Sequence, residues 1–190
     1  MDINKNKLKV LIDKCEALTI LCNKATSDWY KVKVALQLPL MITSSLMCVL
    51  NSYFRDDLEL MKLPNVIVNG ASVFFLAIQN SLKVPEKVEL FKNLRHSFLT
   101  LAHTFENIVD NDEEITSNDI ANYMDKYDNL VNQVLFEDIS YRHKQFVADL
   151  FNEEGKPLPI QLNGGSGLTK KRKSGSFKVP NVAQLGNLEV

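Results

Sequence analysis

Glycine is scarce in this chain, seven residues in 190, and none of it forms a glycine-rich phosphate loop. HExxH and GxSxG are also missing, so the commonest hydrolase signatures do not apply. Cysteine is limited to Cys15, Cys22 and Cys48. The count is odd and the spacing fits no metal motif, so neither a disulfide framework nor an oxidising compartment is implied, and the three read as small buried apolar residues. The three histidines are equally unpromising. His96 and His103 lie seven apart on one helical face, where Glu89 or Glu106 could complete a metal site. A solvated face or a contact with the last helix is the simpler reading. His143, in "YRHK", has no acidic or cysteine partner at ligand spacing. "DNDEE" lacks the spacing and central glycine of a calcium loop. No Asn-x-Ser/Thr site occurs, and the charged N-terminal stretch does not read as a signal peptide. The expectation is a non-enzymatic protein with no cofactor and no metal.

Charge is absent from two stretches. "VALQLPLMITSSLMCVLNSYF" (34–54) and "LPNVIVNGASVFFLAIQNSL" (63–82) hold no Asp, Glu, Lys or Arg. Each is about 20 residues long, which at 1.5 Å per residue matches a ~30 Å hydrocarbon core. Their prolines and amides lower the hydropathy, but proline and glycine are tolerated in spans. The expectation is therefore two transmembrane helices, the alternative being a soluble helical-bundle adaptor.

The flanking segments are helical in pattern. Leu8, Leu11, Cys15, Leu18, Cys22, Ala25 and Trp29 recur at gaps of three and four, as do Phe91, Leu94, Phe98, Leu101, Phe105 and Ile108. Pro85 stands near the first turn of the second of these helices, a tolerated position. Folding the chain back near Leu58 pairs positions whose numbers sum to 116, and every seam residue from Leu8 to Ala25 then meets one from Ile108 to Phe91. The same register pairs Gln37 with Gln79, Ser44 with Ser72 and Asn51 with Asn65. Inside a bilayer such a polar stripe either joins the two helices through side-chain hydrogen bonds or lines a pore in a homo-oligomer.

A last helix is expected over 117–152, N-capped by Ser117, with an apolar stripe of Ile120, Tyr123, Tyr127, Leu130, Val134, Ile139, Phe146 and Leu150. From Gly155 the periodicity stops. That segment, 155–190, holds six basic residues against the single acid Glu189, net +5, while the remainder holds 16 basic and 22 acidic residues, net −6. Lys170, Lys171, Arg172, Lys173 and Lys178 make it a flexible or extended tail suited to an anionic partner, either lipid or nucleic acid.

The fold class follows as all-α. Residues 1–154 form a helical membrane domain, in which a long antiparallel hairpin spans the membrane twice and a third long helix packs on its cytoplasmic arms. Residues 155–190 form the tail. Lys24, Lys31 and Lys33 precede the first stretch and Lys83, Lys87, Lys92 and Arg95 follow the second. In the connector, Arg55 and Lys62 are offset by Asp56, Asp57 and Glu59. The positive-inside rule then places both termini on the cytoplasmic side or its equivalent.

Several of these segments carry a family resemblance. They are a helix ending in "DWYKVK", the proline-containing "LQLPLMITSSLMCVLN", a short acidic turn, and "LAIQNSLKVPEKVELFKNLRHSFLTLAHTFENI". Over about Leu8 to Val109 the chain resembles the SLATT-like two-span membrane proteins, whose stand-alone relatives occur in large nucleocytoplasmic DNA viruses. The resemblance implies a two-span hairpin with long cytoplasmic helices. In its bacterial members it implies an oligomeric pore-forming effector of nucleotide-triggered systems, although no nucleotide-sensing domain is attached here. The missing catalytic constellation and the charge-segregated tail, which lies outside the shared pattern, lead to the expectation of a structural or anchoring protein of a large DNA virus, in a virion inner membrane or associated with a minor capsid component, with capsid or other structural proteins as partners of the tail.

Overall fold

Helix propensity and heptad spacing dominate the chain. In the computed structural model, which describes residues 3–53, 58–111 and 115–162, all major elements are helical. α1 runs unbroken over Ile3–Tyr53, a 51-residue rod of about 77 Å. No break in the backbone separates the seam residues from the uncharged stretch that starts at Val34. Pro39 sits inside the helix, where it removes one backbone donor. Thr43 Oγ1 donates to the carbonyls of Pro39 and Leu40, at 2.8 and 3.1 Å.

α2 spans Leu58–Ser81 and α3 spans Val84–Asp110. They meet at Lys83, whose φ of 50° is left-handed, and Pro85 falls in the first turn of α3, where its missing N–H is not needed. α1 packs along α3 in opposite sense: Arg95 reaches Asn23, whereas Lys87 lies over Trp29. The two seams read from the sequence form this contact. Leu8, Leu11, Cys15, Leu18, Cys22 and Ala25 are buried on α1, and Phe91, Leu94, Phe98, Phe105 and Ile108 are buried on α3. Leu101 is half-buried at the edge of the same cluster.

The expected single helix over 117–152 is corrected. The chain forms α4 (Ser117–Gln133), a 3-10 turn (Phe136–Asp138) and α5 (Tyr141–Glu153). Val134 and Ile139 adopt extended backbone angles on either side of the turn, which resets the helical phase. Ile120, Tyr127, Val134 and Ile139 are buried as expected, but Phe146 is exposed and Val147, Ala148 and Phe151 are buried in its place. A stripe extrapolated through the break points the wrong way by a fraction of a turn. The N-cap is also one residue earlier than expected. Thr116 accepts from the Asp119 amide, and Asp119 accepts from the Thr116 amide, a reciprocal capping box. Phe98–Tyr127 and Phe105–Tyr123 make edge-to-face contacts at 6.4 and 5.3 Å, tying α4 to α3.

Residues 156–162, expected as the start of the tail, pack against the helices. α5 ends in a Schellman turn: Gly155 has φ 67°, Lys156 N donates to Phe151 O, and Gly155 N donates to Asn152 O. Leu158, Pro159 and Leu162 are then buried, and Lys156 pairs with Glu16 of α1 at 3.3 Å. Two leucines and a proline, with exposed Ile160 and Gln161 between them, were enough to dock a segment that shows no periodicity. Lys170, Lys171, Arg172, Lys173 and Lys178 lie outside the described residues.

Candidate functional site

Above the core, α1 and α2 change character. Leu8 to Ala25 are sealed against α3, but from Val34 onward most large apolar residues of α1 are exposed: Leu38, Met41, Ile42, Leu46 and Val49. On α2 the same holds for Leu63, Val66, Ile67, Val73, Phe74 and Leu76. Ile3–Tyr53 and Lys62–Asp110 are each long and apolar enough to cross a membrane, and only 6% of the most apolar 18-residue segment of either is buried. Single exposed apolar residues are ordinary on protein surfaces, but a continuous coat over two neighbouring helices is not.

Between these helices the structure joins one of the three expected polar pairs. Asn51 Nδ2 donates to Asn65 Oδ1 at 3.1 Å and Asn65 Nδ2 donates back to Asn51 Oδ1 at 3.0 Å. Such a reciprocal amide pair satisfies two donors and two acceptors at once. Ser72 instead donates to Val68 O within its own helix, and Ser44 is exposed. Gln37 is half-buried, whereas Gln79 is buried with no partner for its Oε1. No hydrogen bond links Ser44 to Ser72 or Gln37 to Gln79 among the described residues.

At the foot of the exposed stretch, the 3-10 turn and α5 bring Asp138, Lys87, Asp28 and His143 together, a cluster that the sequence reading did not assemble. Trp29 Nε1 donates to Asp138 O at 3.2 Å, and Lys87 Nζ pairs with Asp138 Oδ1 at 2.7 Å while lying 4.4 Å above the Trp29 ring. His143 does have an acidic partner: its Nε2 donates to Asp28 Oδ2 at 2.6 Å. The expectation of no partner fails because Asp28 is 115 positions away, beyond any local spacing rule. Burial pushes the Asp28 carboxyl up, but the hydrogen bonds and charges of His143 and Lys31 outweigh it and hold it below the usual 3.8. These contacts pin the 3-10 turn and α5 to α1 and α3. The one sequence signal for them was Trp29, the lone tryptophan, closing the α1 seam.

The other candidates stay structural. Cys15 and Cys22 are buried, and desolvation pushes both thiols up to about 12, which makes them poor nucleophiles. Cys48, also expected to be buried, is instead exposed on α1. His103 pairs with Glu106 at 2.8 Å, and no group of three His, Cys, Asp or Glu side chains suited to a metal ion occurs among the described residues. No known protein family, curated protein or solved structure matches this chain.

Proposed function

We propose that this chain is a non-enzymatic integral membrane protein with an anchoring role. The upper part of α1, over 34–53, and α2 form a hairpin that crosses the bilayer twice. The lower part of α1 packs with α3, α4 and α5 as a helical body on the cytoplasmic side. The observation that carries this reading is the change from a sealed seam below Lys33 to an exposed apolar coat above it, on two helices at once. In water that coat is unfavourable by about 25 cal/mol per Å², whereas hydrocarbon removes the penalty. The lysines flanking both stretches favour a cytoplasmic body. The basic tail, including Lys170 to Lys173 and Lys178, then reaches for an anionic surface or a structural protein. A virion setting rests on the family resemblance alone.

The Asn51–Asn65 pair favours the anchor over an oligomeric pore, because it turns two of the stripe's amides toward each other rather than toward a shared lumen. Exposed Ser44 is what the pore reading retains. Alkaline carbonate extraction of membranes from expressing cells tests the anchor. The protein is expected in the pellet, and recovery in the supernatant would establish the soluble adaptor instead. Conductance across planar bilayers carrying the purified protein would establish the pore.

A further inference from the structure

The 3-10 turn does more than pin α5. Between it and α1 lies an open cleft of about 550 Å³, lined by Asp28, Trp29, Asp138, Ser140, Glu137 and Lys144, with Val32 and Ile139 as apolar walls. That volume falls in the usual range for small-molecule sites, roughly 300–1,000 Å³. Most charges around it are already matched: Asp138 by Lys87, and Asp28 by His143 and Lys31. Two are not. Glu137 and Lys144 have no ion-pair partner among the described residues, so the cleft offers one open carboxylate and one open ammonium.

Its height along α1 matters as much as its charge. Trp29 and Val32 lie two to five residues below Val34, where the uncharged stretch begins, which is about 3–8 Å along the helix axis. The headgroup layer of a bilayer occupies roughly 5–8 Å on each side of the hydrocarbon. For a chain anchored as proposed above, on which this inference rests, the cleft therefore stands at headgroup level.

We propose that this cleft binds the phosphoethanolamine headgroup of a membrane phospholipid, with Lys144 facing the phosphate and Glu137 facing the ammonium. Three features select that headgroup. A zwitterion matches the one open charge of each sign. A primary ammonium donates hydrogen bonds to Glu137, which a trimethylammonium cannot do. Choline would instead need an aromatic cage; of the two rings that line the cleft, that of Trp29 is covered by Lys87, and Tyr141 alone does not make a cage. A headgroup carrying an extra carboxylate would meet Glu137, Asp28 and Asp138 together, and one lacking an ammonium would leave Glu137 unmatched.

Trp29, the only tryptophan, lines the cleft and reports on it directly. Full-length protein in a neutral detergent is titrated with dihexanoyl-phosphatidylethanolamine while its emission is followed. Matched titrations use the phosphocholine and phosphoglycerol analogues. The expected result is a saturable emission change with the ethanolamine lipid, at a concentration about tenfold or more below the other two. Glu137→Gln and Lys144→Gln are each expected to weaken it by about tenfold, whereas Lys126→Gln, on α4 outside the cleft, leaves it unchanged. Both cleft side chains lack ion-pair partners, so the variants should keep the parent helicity by circular dichroism, which is checked first. Should either variant lose it, Glu137→Ala or Lys144→Ala replaces it, with the same weakening expected from the lost charge. Equal responses to the three lipids, or indifference to the cleft substitutions, would overturn the site. The titration needs no bilayer, so its outcome is separate from carbonate extraction: an extractable protein that still prefers ethanolamine retains the site and loses the anchor.

Discussion

Asp28 shows how one side chain can serve a long-range junction. It lies one position before Trp29 on α1, yet its main partner is His143 of α5, and its carboxyl is held below 3.8 by that contact together with Lys31. A group whose folded value is depressed binds fewer protons folded than unfolded in the interval between the two values. Its contribution to stability is thus complete above about pH 4 and is lost as pH falls through the folded value. Asp28→Asn should be less stable than the parent near neutrality, and the difference should shrink on acidification below pH 4. Thermal unfolding of both proteins across that range, read by circular dichroism, measures the gap. A constant gap would mean that Asp28 acts through packing rather than charge.

At the scale of elements, the α1–α3 seam holds the body together. Phe91, Phe98 and Phe105 are fully buried in the core cluster shared with α1, and Phe98 also meets the Tyr127 ring. Truncating Phe98 to Ala removes that ring and leaves a cavity beside Tyr127, at an expected cost of about 3–5 kcal/mol in denaturant unfolding of the body. A loss under 1 kcal/mol would mean that α4 collapses into the gap. This seam was legible in the sequence because strict three-four spacing over six turns leaves little choice of buried face. The break over 134–140 was not. "VLFEDIS" has no glycine or proline to announce a turn, and it is tertiary contact, Asp138 with Lys87 and Trp29, that holds it. The stripe beyond it was therefore misread at Phe146. The docking of Leu158 and Leu162 was missed for a related reason, since aperiodic segments hide their buried residues. For the polar stripe, heptad spacing gave the level of each residue but not its rotamer, so Asn51–Asn65 forms while Ser72 satisfies itself within its own helix.

For the whole molecule, the two surface characters make a prediction that a single thiol can test. Cys15 and Cys22 are sealed in the body, with thiols pushed up to about 12, whereas Cys48 lies exposed on the apolar part of α1. In an anchored protein Cys48 faces lipid rather than water. A membrane-impermeant maleimide should then label no cysteine in intact vesicles and all three after denaturation in SDS, as counted by mass spectrometry. One label in the native state would indicate that Cys48 meets water and that the coat is not in a bilayer.

The unbroken course of α1 has a mechanical consequence. In a chain anchored as proposed, residues 3–33 would amount to about 46 Å of helix with no hinge between the bilayer and their far end. Lys156 fastens to Glu16, 17 residues below Lys33, so it attaches about 26 Å along that rod. The Lys156–Glu16 attachment would then be held at a fixed stand-off from the lipid surface. Lengthening α1 below Lys33 by whole turns would move that distance in steps of about 5.4 Å, as a spacer does.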